Sequence, residues 1–234
     1  MTRKEHSAHG GTRPEADAKE FVAAFWDRHW AQTDSAPGPG SMGSNPASPY
    51  LEREISTLPP GTALDAGCGS GAEAIWLARH GWQVTGVDIA AEALARAAER
   101  AKAGGVSERI GWLHADVTTW APDARFDLVT THYAHAAMPQ LDLYQRIAKW
   151  VAPGGTVLIV GHRHADDGPN AARGHGHVAG QPPAVASVSA ASVAARLDPE
   201  RWQVVTADEP ERTIAGPGGE EVMLRDVVVR ATRR

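Results

Sequence analysis

From residue 62 onward, short apolar runs alternate with longer stretches whose apolar residues recur every three or four positions. The runs are Thr62 to Leu64, Trp82 to Ile89, Ile110 to Val117, Phe126 to Tyr133 and Val151 to Val160. Runs of this length, rich in Val, Ile and Leu and bounded by Gly, Pro or Asp, read as buried strands. The stretch Ala72 to Arg79 reads as a helix, and Pro153-Gly154-Gly155 stops one element and starts the next. Five strands alternating with helices predict a mostly parallel α/β sheet wound by right-handed crossovers. Further on, Ser189 is a suitable N-cap for a helix reaching about Leu197. Trp202 to Ala207 and Val222 to Arg230 then predict two strands around a glycine turn at 216–219, an antiparallel C-terminal hairpin.

Upstream of residue 59 the pattern changes. Residues 1–14 are polar and predict a disordered tail. From Pro14 to about Ala31, Phe21, Val22, Phe25, Trp26 and Trp30 recur near helical spacing. Residues 34–48 form a Pro/Gly/Ser loop able to fold over a ligand. Ser48-Pro49 then reads as an N-cap with proline at the first helical position, opening a helix to about Thr57. The expected organisation is a tail (1–14), a helical cap with a flexible loop (15–58) and a single core (59–234).

The chemistry begins at Asp65-Ala66-Gly67-Cys68-Gly69-Ser70-Gly71, between the first strand and the first core helix. A strand, a glycine loop and a helix make a nucleotide-binding turn, in which the backbone approaches the ligand and free helical N–H groups face it. Gly67, Gly69 and Ala72 satisfy G-x-G-x-x-G/A, the dinucleotide fingerprint. Asp65 argues for a different ligand, because a carboxylate repels a pyrophosphate but suits the ammonium and sulfonium of S-adenosylmethionine. Asp88 ends the second strand where an acid takes a pair of ribose hydroxyls. Ile89 follows it and would lie against an adenine.

The pattern Asp-x-Gly-x-Gly-x-Gly resembles motif I of the class I S-adenosylmethionine-dependent methyltransferases. The resemblance continues through Asp88, Asp116-Val117, the fourth strand and the fifth, in the family's order. It implies a Rossmann-like, seven-stranded, mostly parallel sheet with an antiparallel C-terminal hairpin and helices on both faces. It also implies S-adenosylmethionine as cofactor, held by Asp65, Gly67, Cys68, Gly69, Gly71, Asp88, Ile89, Asp116, Val117 and Thr131, with Asp116 accepting from the adenine amine. Within the class, Phe25 to Trp30, Asn45-Pro46 and Leu64 to Leu77 are most similar to the small bacterial enzymes grouped with tellurite-resistance and thiopurine methyltransferases. The glycine-rich loop at 35–44 and a histidine-rich segment at 161–184 depart from that group where substrate would be chosen.

Bulk properties narrow the partners. A formal net charge of −5 with no Lys/Arg-rich run disfavours a nucleic-acid substrate. The N-terminus reads as no signal peptide and no run approaches the roughly 20 apolar residues that span a bilayer. A single cysteine, Cys68, allows no intrachain disulfide and agrees with a reducing cytoplasm. The expected acceptor is therefore a small molecule with an O, N or S nucleophile. The sequence does not bear on oligomeric state.

Methyl transfer is an in-line displacement in which the protein aligns nucleophile, methyl and sulfur, and a base helps where the nucleophile carries a proton. His132 and His135, just past the fourth strand, are the candidate bases, and Tyr133, His162, Trp26 and Trp30 the candidate acceptor contacts. His162, His164, His175 and His177 read as a solvated loop rather than a metal site. A nicotinamide-dependent oxidoreductase and a non-catalytic S-adenosylmethionine-binding module are the competing readings.

Overall fold

The computed structural model describes residues 23–32, 45–163, 188–215 and 221–234. The expected tail at 1–14, most of the loop at 34–48, His164, His175, His177 and the turn at 216–219 lie outside the described residues. In chain order the elements are α1 (Ala23–Gln32), α2 (Pro49–Ile55), β1 (Thr62–Ala66), α3 (Ala72–Arg79), β2 (Gln83–Asp88) and α4 (Ala91–Ala103). A 3₁₀ turn (Ser107–Arg109) leads to β3 (Ile110–His114), β4 (Phe126–His132), α5 (Gln140–Ala148) and β5 (Val151–Arg163). After these come α6 (Ala190–Ala194), β6 (Trp202–Asp208), β7 (Glu211–Ala215) and β8 (Glu221–Arg233).

One sheet holds all the strands, in the order β3-β2-β1-β4-β5-β8-β6, with β7 also paired to β8. β1 to β5 pair in parallel and β8 runs antiparallel to β5, as the apolar runs predicted. The chain winds outward from β1 to β3 and then returns to β4 on the other side. The carboxyl ends of β1 and β4 are thus the switch point at which open α/β sheets bind ligands.

Side chains alternate across the sheet and feed two cores. Leu64, Val129, Ile159 and Val229 pack on the α5 and α6 face. Ala63, Leu128, Leu158 and Val228 pack with α2 and α3. Both faces are buried, so the strands are continuous apolar runs rather than alternating ones.

Three details differ from the sequence expectation. Residues 115–125, between β3 and β4, contain no helix. Arg146 of α5 pins this link instead, donating to the carbonyls of Val117 and Trp120, each at 2.8 Å. The hairpin also carries an additional strand, because β6 and β7 follow one line along β8 with Asp208 opposite Val228 and Glu211 opposite Arg225. Between them Pro210 accepts from the Asp226 N–H at 2.9 Å but has no N–H to return, which interrupts the ladder without shifting it. Finally, Ser48 occupies the N-cap position of α2 but its hydroxyl makes no cap bond. Its backbone N–H donates to Glu73 of α3 at 3.0 Å.

Ser189 does cap α6. Its hydroxyl accepts from the Ser192 N–H and the Ser192 hydroxyl accepts from the Ser189 N–H, each at 3.0 Å. Ser189→Ala is expected to cost about 1 kcal/mol, a fall of roughly 2–4 °C in melting temperature for a chain of this size. Differential scanning calorimetry checks this, and an unchanged melting temperature would mean that α6 contributes nothing to cooperative stability.

Candidate active site

The glycine loop leaves β1 beneath β2. The Gly67 and Cys68 N–H groups both donate to the Val87 carbonyl, at 2.8 and 3.0 Å. Gly67 has φ +75° and Gly71 φ +76°, in the left-handed region. Space is also closed at both: a Cβ on Gly67 would lie 2.5 Å from the Ala134 Cβ, and one on Gly71 2.5 Å from the Trp112 indole. The loop is therefore wedged between the segment after β4 and an indole from β3. Arg100 of α4 holds its far side, donating to the Ser70 hydroxyl at 2.6 Å, the Ser70 carbonyl at 3.0 Å and the Asn45 carbonyl at 3.0 Å. Trp30 of α1 is buried and packs on Gly69, Ala90 and Ala93, with Trp26 partly buried beside it.

Three carboxylates converge here. Asp88 accepts from the Gly69 N–H at 2.8 Å through one oxygen and from the Ala90 N–H at 2.9 Å through the other. Burial raises its pKa and these backbone donors oppose the rise. Asp65 is 1% exposed, and its Oδ2 has no hydrogen-bond partner among the described residues. Burial, then the charges of Glu73 and Asp88, push the Asp65 carboxyl well above its ordinary value. Burial and the same acids raise the Cys68 thiol, which makes it a packing residue rather than a nucleophile.

His132 belongs to this carboxylate group. Burial lowers its pKa while the charge of Glu73 opposes the shift. Its Nδ1 is 3.1 Å from the Thr130 hydroxyl, and its Nε2 is buried without a partner among the described residues. The Ser48 hydroxyl is a third such orphan, beside Glu73. Buried orphans are uncommon, and here Ser48, Asp65 and His132 all surround Glu73.

A second cluster lies past β4 and β5, one residue to either side of Ala134, which packs on Gly67. Tyr133 has φ +54°, the one non-glycine residue with positive φ among those described. Its ring stacks on His162 with centroids 4.3 Å apart, and the His135 ring lies 6.2 Å from His162. Asp226 of β8 is fully buried and accepts from the Tyr50 hydroxyl at 3.0 Å and from Arg212. Burial acts to raise the Asp226 carboxyl, but His162, Arg212 and Tyr50 overcome it and hold the group below its ordinary value. Burial, with Asp226 next, pushes Tyr50 up to about 12 and Tyr133 higher still, so both phenols stay protonated.

The structure thus separates the two candidate bases: His132 sits with the carboxylates and His135 with Tyr133 and His162. Trp30 is buried against the loop. The Thr131 hydroxyl donates to the Ala66 carbonyl at 2.8 Å and braces β4 on β1. Asp116 accepts from the Thr118 N–H at 2.8 Å in a turn just after β3, next to Val117. Glu73, Tyr50, Arg212 and Asp226 were missed. Only Asp226 had a signal, a lone acid in an apolar strand.

Residues 63–155 match a family model described as a methyltransferase domain. Among curated relatives, an uncharacterized methyltransferase of Mycobacterium tuberculosis is 41% identical over 107 residues, covering 44% of this chain and 52% of its own. Ribosomal RNA small subunit methyltransferase C of Alcanivorax borkumensis is 34% identical over 112 residues, covering 44% and 33%. Thiocyanate methyltransferase 1 of Arabidopsis thaliana is 33% identical over 106 residues, covering 44% and 44%. The matches therefore span about a third to a half of these relatives' lengths. A methyltransferase of Geobacter sulfurreducens in complex with S-adenosylhomocysteine superposes with a TM-score of 0.50 at 26% identity, over 61% of this chain and 58% of that one. The structure solved for the conversion of a disulfide bond into a thioacetal group during echinomycin biosynthesis has a TM-score of 0.65 at 21% identity, over 90% and 91%, a likeness of fold. The chain carries a class I S-adenosylmethionine-dependent methyltransferase domain over residues 63–155, and its cofactor is S-adenosylmethionine.

Proposed function

We propose that the protein transfers a methyl group from S-adenosylmethionine to a small-molecule acceptor. The observation that carries this reading is the Asp65 carboxylate, wholly buried with an unpartnered oxygen beside Glu73 and Asp88. Such a site is repulsive to a pyrophosphate and complementary to an ammonium and a sulfonium. The bound cofactor supplies a methyl already activated for displacement. Asp65, with the orphaned polar atoms of Ser48 and His132, takes the methionine end. Asp88 presents the remaining lone pairs of its two oxygens to the ribose while it holds the loop through Gly69 and Ala90. Ile89, Asp116 and Val117 take the adenine. The net charge of −5 and the ring cluster past β4 support a small acceptor over a nucleic acid.

Calorimetric titration of the full chain with S-adenosylhomocysteine and with NADH tests the donor. Binding of the first in the micromolar range and no heat with the second is expected; tight NADH binding would overturn the reading. Asp65→Asn separates fold from function. The Asp65 pKa is raised on folding, so its protonated form stabilises the fold and that stability is lost as pH rises above the ordinary 3.8. At pH 8 the variant is expected to melt above the parent, with the gap closing as pH falls toward 4, and to bind S-adenosylhomocysteine at least about tenfold more weakly. A lower melting temperature at pH 8 would refute the unrelieved-charge account.

A further inference from the structure

The Tyr133–His162–Asp226 cluster has a chemical use that the donor site does not explain. Asp226 is fully buried in β8, directly opposite His162 of β5 in the sheet register. Tyr50 and Arg212 both donate to its Oδ2. Its Oδ1 has no hydrogen bond among the described residues and lies 3.5 Å from Nδ1 of His162. The carboxylate is thus fixed on one side and directed at the imidazole on the other. A carboxylate at Nδ1 sets the tautomer so that Nε2, on the far side of the ring, accepts a proton, and it stabilises the imidazolium that results. The His162 side chain is 16% exposed, whereas that of Asp226 is wholly buried.

We propose that His162, oriented by Asp226, is the general base for methyl transfer and that the acceptor is a phenolic hydroxyl, an inference that rests on the methyl-transfer reading above. The phenol oxygen forms the new bond to the methyl carbon as the carbon–sulfur bond breaks. The sulfur keeps the bonding pair and becomes a neutral thioether, and the phenol proton passes to Nε2 of His162 and then to water. A soft anion needs no base. An imidazole can assist an alcohol or a phenol, but a phenol, which ionises at about 10, gives up its proton at much the smaller penalty. The Tyr133 and His135 rings make this wall of the cluster aromatic, with Tyr133 stacked on His162 and Arg212 over the Tyr133 ring. Among the described residues, the charged and titratable groups around His162 are Tyr50, Tyr133, His135, Arg212 and Asp226. Of these, Tyr50 and Tyr133 stay protonated and Arg212 is paired to Asp226. The nearness of Ala134 to Gly67 sets this cluster beside the cofactor loop.

The test uses the full chain, S-adenosylmethionine and para-substituted phenols of graded acidity, including a nitrophenol already ionised at the assay pH. His162→Gln is expected to lower kcat for unsubstituted phenol by about 10²–10⁴-fold, and by far less for the ionised nitrophenol. Asp226→Asn, as a change in a positioning residue, is expected to lower kcat with little change in KM and to shift the limb of the pH–rate profile that reports the base. Should that variant fail to fold, His162→Gln alone decides. Equal losses on both phenols, or none on either, would overturn the proposal. So would a parent protein that binds S-adenosylhomocysteine but methylates no phenol, which would leave the donor reading standing. Failure to bind S-adenosylhomocysteine would remove both.

Discussion

Two buried carboxylates, Asp65 and Asp88, with the half-buried Glu73 beside them, set the terms for this fold. They meet at the carboxyl end of the parallel sheet, where burial raises the Asp65 and Asp88 carboxyls and the charges of Glu73 and Asp88 raise Asp65 further. An arrangement of that kind costs the folded chain stability and is retained where a ligand relieves it. The sheet order makes the approach unavoidable, because Asp65 ends β1, Asp88 ends the adjacent β2 and Glu73 lies in the first turn of the helix leaving the loop.

The surroundings of the loop follow from this constraint. A backbone carrying this much local charge has to be held rigidly, and every side of it is. Val87 accepts from the Gly67 and Cys68 N–H groups below, Arg100 grips Ser70, Trp112 closes on Gly71, Ala134 on Gly67 and Trp30 on Gly69. Asp88 braces Gly69 and Ala90. In the proposed reading the same atoms also meet the donor, so substitutions here are expected to act on stability and affinity together.

The donor half of the site was largely readable from the chain, because it is built locally. A glycine loop, the acid before it and the acid ending the next strand lie within a few dozen residues, and their spacing is imposed by a strand–turn–helix unit. The strands themselves were readable because both faces of the sheet are buried. The cluster around Asp226 was readable only in part, through Tyr133, His135 and His162. Tyr50 and Asp226 meet across 176 residues of sequence through the register of β8, which no local pattern encodes. No local pattern marks Glu73, and none marks β7, which follows Pro210 along the line of the strand predicted from Trp202. Trp30 was readable as the apolar face of a helix, but not the surface it covers.

The most direct test of the central claim is proton exchange on ligand binding. If burial and its acidic neighbours raise the Asp65 carboxyl in the free protein, a cationic ligand should lower it again and release a proton. Titration of the full chain with S-adenosylmethionine in pairs of buffers of different ionisation enthalpy measures this exchange. The account predicts net proton release at the lower end of the pH range in which the protein is folded, an affinity that rises with pH there, and loss of both in Asp65→Asn. Binding with no proton exchange and a pH-independent affinity in the parent would contradict it.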